Sequence, residues 1–231
     1  MPVHIHPTAA LAPRALLPGD PGRALALAQL LLAEPKMFNH NRGLWGYTGT
    51  AADGAPLTIQ STGMGGPSAA IVVEELVRLG ARRLVRVGSC GALSEGFAFG
   101  DAIVVREAVC ADGVSRALGA GERVAGDAEL TAALEAAASA DGGARAGAVV
   151  TTDLFYAPDG SHASPSPPVG ALAIEMETAT LFQIAALRGV QAGCVLLVSD
   201  LLGPAGGRID PDALDAAATR TGRIAAAALG A

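Results

Sequence analysis

The sequence predicts an α/β protein folded as one domain over residues 1–231, and three observations carry that expectation. Short apolar runs of strand length alternate with longer stretches that bear a helical apolar stripe. Gly- and Pro-rich turns sit where a strand hands over to a helix. No internal repeat or linker divides the chain. Hydrophobic residues make up 51% and mean hydropathy is +0.40, which excludes a disordered class and supplies the apolar surface for a substantial core.

Taken in order, Arg14 to Leu17 reads as a strand that runs into Pro18-Gly19-Asp20-Pro21-Gly22-Arg23. Asp20 followed by Pro21 is a helix start, an N-cap acceptor and then proline at the first helical position. The helix continues through Leu25, Leu27, Leu30 and Leu31. Strand, Gly turn and helix N-terminus form either an anion site with Arg23 one turn inside, or an ordinary capped helix with an exposed Arg. Residues 37 to 48 read as a loop entering a strand, with Trp45 and Tyr47 in packing or interface roles. Asp53-Gly54 signals a hairpin turn, and Leu57 to Ser61 is the return strand. Thr62-Gly63-Met64-Gly65-Gly66-Pro67-Ser68 then opens a helix, Ser68 to Leu79, closed by Gly80.

Arg86-Val87-Gly88-Ser89-Cys90-Gly91-Ala92-Leu93 follows a short buried run and is expected to break into a turn at Gly88. An Arg fork, a Ser hydroxyl and Gly-exposed N–H groups at the carboxyl end of a strand suit a ligand, phosphate above all. The same stretch also reads as a tight turn with a solvated Arg. Asp101 to Val109 is a further strand, residues 113 to 126 a surface loop, Asp127 to Ala140 a helix and Ala146 to Thr152 a strand. Asp153-Leu154-Phe155-Tyr156 leaves that strand with two aromatics, which face either a ligand or the core. Asp159 to Gly170 is a Pro-, Ser- and Gly-rich loop. Ala171 to Ile174 enters Glu175-Met176-Glu177-Thr178, and a helix runs on to Arg188 with Gly189 as its cap. The two acids suit a helix N-terminus without further function, although Met176 between them turns one carboxylate inward. Ala192 to Val198 is the last strand and ends in Ser199-Asp200, an acid at a strand exit. After a Gly-rich loop with Arg208, Asp212 to Leu229 is an amphipathic helix.

A net charge of −6 and a pI near 5.2 exclude a nucleic-acid groove and an anionic membrane surface as partners. Lys36 is the only lysine, a bias that reads as genome composition beside so much alanine. Cys90, Cys110 and Cys194 show no CxxC spacing and read as reduced intracellular thiols. The N-terminus lacks a basic region and carries Pro2 and Pro7, unlike a signal peptide. The longest apolar stretch, Ala24 to Ala33, is too short for a bilayer and contains Gln29. The expected location is the cytoplasm. No metal-ligand spacing occurs; His4 and His6 are too isolated to form a site.

Pro18 to Arg23, Asn41-Arg42-Gly43, Thr62 to Ser68, Arg86 to Gly91, Asp153 to Tyr156, Glu175-Met176-Glu177 and Ser199-Asp200 occur in that order. The set resembles the nucleoside phosphorylase family, which includes bacterial hexameric purine nucleoside phosphorylases and uridine phosphorylases, from about His4 to Asp200. The resemblance implies a three-layer α/β/α fold with a central mixed twisted sheet. It also implies phosphorolysis: nucleoside and phosphate are converted to free base and ribose 1-phosphate, or the deoxy sugar, with no cofactor and phosphate as co-substrate.

Position by position, the resemblance assigns phosphate to Gly19, Arg23, Arg86 and Ser89, with Arg42 reaching in from a neighbouring subunit. Met64, Met176 and Glu177 would hold the ribose, and His4 of a neighbour the 5′-hydroxyl. Cys90, Gly91, Phe155, Ile174, Glu175 and Ser199 would border the base. Asp200 would protonate purine N7, with Arg208 nominated as its partner, although its spacing after Asp200 departs from the family pattern. Shared sites imply a homo-oligomer, expected as a hexamer built as a trimer of dimers. Uridine phosphorylases read uracil through a Gln-x-Arg pair that Asp159-Gly160-Ser161-His162 lacks, so a purine is expected. The alternatives are a uridine phosphorylase, a nucleosidase of the same superfamily that uses water, and a non-catalytic binder. The missing GxGxxG sets aside a dinucleotide enzyme.

Overall fold

β1 (Arg14–Pro18) is buried along its whole length. Asp20, extended at φ −87° and ψ 132°, accepts the Arg23 N–H at 2.7 Å and so starts α1 (Pro21–Leu31) as expected. The computed structural model describes residues 2–158, 170–202 and 206–231. The loop expected at 159 to 170, with His162 and the segment that lacks a Gln-x-Arg pair, falls outside the described residues apart from Gly170.

β2 (Ala33–Asn39), β3 (Gly46–Thr50) and β4 (Pro56–Gln60) form an antiparallel meander, with Gly54 at φ 81° in the expected hairpin turn. β2 replaces the first part of the loop expected at residues 37 to 48. It is an edge strand, exposed from Ala33 to Met37 and carrying Pro35, so no apolar alternation marks it. Tyr47 packs in the core, whereas Trp45 is 39% exposed. α2 (Gly66–Leu79) buries Ala69, Val72, Val73 and Leu76 and stops at Gly80, whose φ of 117° is open to glycine.

β5 (Arg83–Ala92) does not turn at Gly88; it pairs with its neighbour through Ala92. β6 (Ala102–Ala111) follows. The surface loop expected at 113 to 126 instead contains α3 (Gly113–Ala117) and β7 (Arg123–Ala125). One helical turn capped by buried Asp112 and three residues on the edge of β6 are both too short to show periodicity. The remaining elements are α4 (Ala128–Ala140), β8 (Arg145–Thr152), β9 (Ala171–Glu175), α5 (Thr178–Arg188), β10 (Gln191–Leu201), β11 (Gly207–Arg208) and α6 (Pro211–Ala228). Asp127 caps α4 and Gly189 ends α5, as the sequence indicates.

Among the described residues the strands make one mixed sheet of eleven. Side chains of β1 alternate between two cores, Ala15 and Leu17 towards α2 and α5, Leu16 towards α1, α4 and α6. Helices therefore cover both faces, giving the expected three layers. β5 is the branch point. Its first half lies between β1 and β10, and the β1 pairing ends at Pro18–Val87. On the same edge β9 takes over at Gly91–Ile174. Because β9, β8, β6 and β10 also pair in sequence, these four strands and β5 close into a ring.

The N–H groups of residues 3 to 5 converge on one side chain. Glu75, on α2 and buried, accepts the N–H groups of Val3, His4 and Ile5 at 2.7 to 3.1 Å, and lies 2.9 Å from His4 Nδ1. Burial alone would raise the Glu75 carboxyl, but these donors outweigh it and hold it at about 2, below the ordinary 4.5. A depressed acid stabilises the fold above its unfolded value, and that contribution is lost as pH falls towards the folded value. We expect Glu75→Gln to cost about 1–3 kcal/mol near neutrality by denaturant titration. The gap between the two proteins should close as pH falls from 4.5 towards 2. A gap that stays constant over that range would contradict the assignment.

Candidate active site

Between the end of β1 and the start of β9, one edge of Gly88, Ser89 and Cys90 has no strand partner among the described residues. A cavity of about 930 Å³ opens there. Its wall gathers Gly19, Arg23, Met64, Arg86, Ser89, Cys90, Gly91, Phe155, Ile174, Glu175, Met176, Glu177, Ser199, Asp200 and Arg208. The structure thus brings together all the residues expected at the site except His4 and Arg42. Arg42 is exposed on a 3-10 turn (Asn41–Gly43) with a left-handed φ of 58°, and neither it nor His4 lines this cavity.

Arg86 is the most enclosed of the cations, at 5% exposure, which excludes the solvated-Arg reading. Its Nε donates to Glu175 Oε2 at 3.1 Å and its Nη2 lies 2.5 Å from Glu177 Oε2. Burial works against the guanidinium charge, yet Glu177 and Glu175 together hold its pKa above the ordinary value. For Glu177 the balance is reversed: burial, reinforced by Glu175, raises its carboxyl despite Arg86. Glu177 also accepts the Gly65 N–H at 2.5 Å. Gly65 has φ 82° and ψ 159°, a backbone region open essentially to glycine alone. The Thr62 to Ser68 loop therefore serves the site through its glycines as well as through Met64, which is 87% exposed.

Glu175 differs from its expected place at the base. Its side chain is fully buried, so only main chain reaches the cavity. Thr151 Oγ1 donates to Oε1 at 2.5 Å, and the N–H groups of Glu177 and Thr178 also bond the carboxylate. Both acids of the Glu-Met-Glu run point inward, where one was expected.

Arg23 projects from the first turn of α1. Burial lowers its pKa and Arg86 nearby does the same, while Asp20 and Asp215 work in the opposite direction. Opposite, Asp200 and Arg208 face each other across the β10–β11 pair, with Nη1 4.0 Å from Oδ1. Ser199 Oγ donates to Asp200 Oδ2 at 2.7 Å. The cross-strand register brings the nominated Arg208 to Asp200 despite its sequence spacing. Cys90 is a neutral wall: burial pushes its thiol well above the ordinary value, and Sγ lies 3.4 Å from the Leu197 carbonyl. Phe155 stacks edge-on with Tyr156, centroids 4.9 Å apart, at the same rim.

Three further contributors escaped the sequence reading. Asp215 of α6 lines the cavity beside Arg23, and no local motif marks it. Thr151 holds Glu175 through a register between β8 and β9 that only the sheet creates. Gly88 was visible in principle. Residues i and i+2 of a strand share a face, and a Cβ at Gly88 would lie 2.6 Å from Arg86 Nη2. Gly88 thus makes room for a guanidinium.

Comparison with known proteins agrees with this geometry. The family described as the phosphorylase superfamily matches residues 13–230. A protein of Clostridium beijerinckii named purine nucleoside phosphorylase DeoD-type is 37% identical over 205 residues, covering 87% of this chain and 86% of its own. Proteins of the same name from Oceanobacillus iheyensis and Bacillus cytotoxicus are each 38% identical. They cover 82% and 87% of this chain, and 83% and 87% of their own.

Gly88→Ala tests the Arg86 clearance. A methyl there meets both the guanidinium and Leu196, so we expect a loss of about 1–3 kcal/mol from overpacking. Thermal melting and denaturant titration measure it, and an unchanged midpoint would mean that Arg86 is not held in this position.

Proposed function

The chain belongs to the phosphorylase superfamily, and we propose that it is a purine nucleoside phosphorylase, a pentosyltransferase that exchanges the base of a purine nucleoside for phosphate. The observation that carries this reading is the single cavity shared by Arg23, Arg86, Ser89, Glu177 and Asp200, which come from four separate segments. Phosphate takes the end walled by Gly19, Arg23, Arg86 and Ser89, where two guanidiniums and glycine backbone suit a desolvated oxyanion. Glu177 accepts from the 2′- and 3′-hydroxyls of the ribose, with Met64 and Met176 against the sugar. The neutral surface of Cys90, Gly91, Phe155 and Ile174 borders the base. No cofactor takes part, and inorganic phosphate is the second substrate.

Cleavage of the glycosidic bond runs ahead of phosphate attack, through an oxocarbenium-like sugar. The acid-rich wall suits that cation: beside its three arginines it carries the carboxylates of Asp20, Glu177, Asp200 and Asp215. Asp200 gives a proton to purine N7 and makes the base a neutral leaving group. Arg208, mostly exposed and 4.0 Å away, closes on Asp200 to complete the proton donor.

The protein acts in the cytoplasm in purine salvage as a hexamer, a trimer of dimers with shared sites. Two features support sharing. His4 and Arg42 lie outside the cavity of their own chain, and Met64 and Leu154, which line it, are large apolar side chains left exposed.

A panel of purine and pyrimidine nucleosides, assayed for free base with and without phosphate, tests the reaction. Release from inosine or adenosine that requires phosphate supports the proposal. Full release in its absence identifies a nucleosidase, preference for uridine identifies a uridine phosphorylase, and saturable binding without release identifies a non-catalytic binder. Asp200→Asn should lower kcat for inosine by about 10²–10⁴. Turnover at the wild-type rate would remove its acid role. Mixing Arg42→Ala with Glu177→Gln subunits should restore activity that each lacks alone, and no recovery after subunit exchange would contradict shared sites.

A further inference from the structure

Glu175 has no task in the reaction just described, yet it is the most elaborately held carboxylate around Arg86. Its side chain is fully buried and four donor groups reach it: Arg86 Nε, Thr151 Oγ1 and the N–H groups of Glu177 and Thr178. These belong to β5, β8 and the start of α5, so one side chain ties three elements to its own strand, β9. A buried polar group with all its lone pairs engaged is a fixed point rather than a ligand contact.

Arg86, by contrast, has two acidic partners of different standing. Glu175 holds Nε from outside the cavity, whereas Glu177 takes Nη2 from within its wall. Sugar hydroxyls that bond Glu177 would compete with Nη2 for the same carboxylate oxygen. A guanidinium held only by Glu177 would follow that carboxylate. One anchored at Nε keeps its position.

We propose that Glu175 is a positioning residue that holds Arg86 by Nε, so that the guanidinium stays at the phosphate site while Glu177 turns to the sugar. The inference rests on the phosphorolysis reading. Its sign is specific: losing Glu175 harms phosphate use, and does so through Arg86.

The test is a double-mutant cycle on kcat/KM for phosphate at saturating inosine, with Glu175→Gln, Arg86→Gln and the double variant. We expect Glu175→Gln to lower kcat/KM for phosphate about tenfold when Arg86 is present, as for one charged hydrogen bond. In the Arg86→Gln background the same change should alter it by less than about twofold, because neighbours that act together are not additive. Independent effects that multiply would overturn the proposal, as would an unchanged phosphate kcat/KM. A rise in inosine KM of equal size in both backgrounds would make Glu175 a nucleoside contact, and overturns it too.

Should Glu175→Gln fail to fold, Thr151 gives a second route, since its hydroxyl bonds Glu175 and does not line the cavity. Thr151→Val should lower phosphate kcat/KM about threefold and Thr151→Ser should restore it, following the hydroxyl donor. A Thr151→Val protein equal to wild type would overturn the proposal. Wild-type protein that releases base at full rate without phosphate overturns the phosphorolysis reading itself. Normal phosphate dependence with an additive cycle overturns only the role given to Glu175.

Discussion

A β-strand has two edges, and β5 divides one of them between two partners. β1 follows it to Val87 and β9 joins at Gly91, so the three residues between have an unpaired edge in the middle of an otherwise continuous sheet. The cavity is the consequence of that interval. Helices cover both faces of the sheet, and five strands close into a ring beside the fork. The fork is where backbone groups remain open to a ligand. Arg86, Gly88 and Cys90 share one face of the same strand, which sets guanidinium, clearance and thiol in a row.

The electrostatics follow from burying Arg86 at this fork. A guanidinium without counter-charges would be costly there, and two carboxylates offset the cost while creating one of their own. Glu175 draws on main-chain N–H groups at the start of α5 and on Thr151. Glu177 has the Gly65 N–H and Arg86, and its carboxyl is raised by burial first, with Glu175 adding to it. Such a cluster is weak evidence for stability, since apolar replacements often do as well. Its value is placement, because a partly desolvated arginine fixed before the ligand arrives loses little on binding.

The cavity also holds its charges in opposed groups. Arg23 stands between Asp20 and Asp215 on the α1 and α6 side. Asp200 and Arg208 face each other across β10 and β11, and Arg86 is shared by Glu175 and Glu177. Each arginine of the wall thus has acid from a different element nearby, so the site depends on the packing of the whole chain. This dependence makes Gly88 and Thr151 part of the site, although neither offers a charge.

The sequence alone determined the local pieces: the Asp20–Pro21 helix start, the Gly80 and Gly189 stops, the strand exit at Asp200, and seven motifs in family order. Those features rest on near-neighbour chemistry, caps, periodicity and glycine turns, which a linear reading can see. It failed where elements are exposed, as in β2, whose outer residues show no apolar alternation, or too short for a period, as in α3 and β7. It placed a turn at Gly88 because glycine after an apolar run usually means one. Only the tertiary structure shows that this glycine clears space for Arg86. Only the register of β8 on β9, and of β10 on β11, turns Thr151 and Arg208 towards the acids they meet. Glu175 and Glu177 look alike two residues apart in the sequence. Burial decides between them, making one a fixed anchor and leaving the other at the cavity wall.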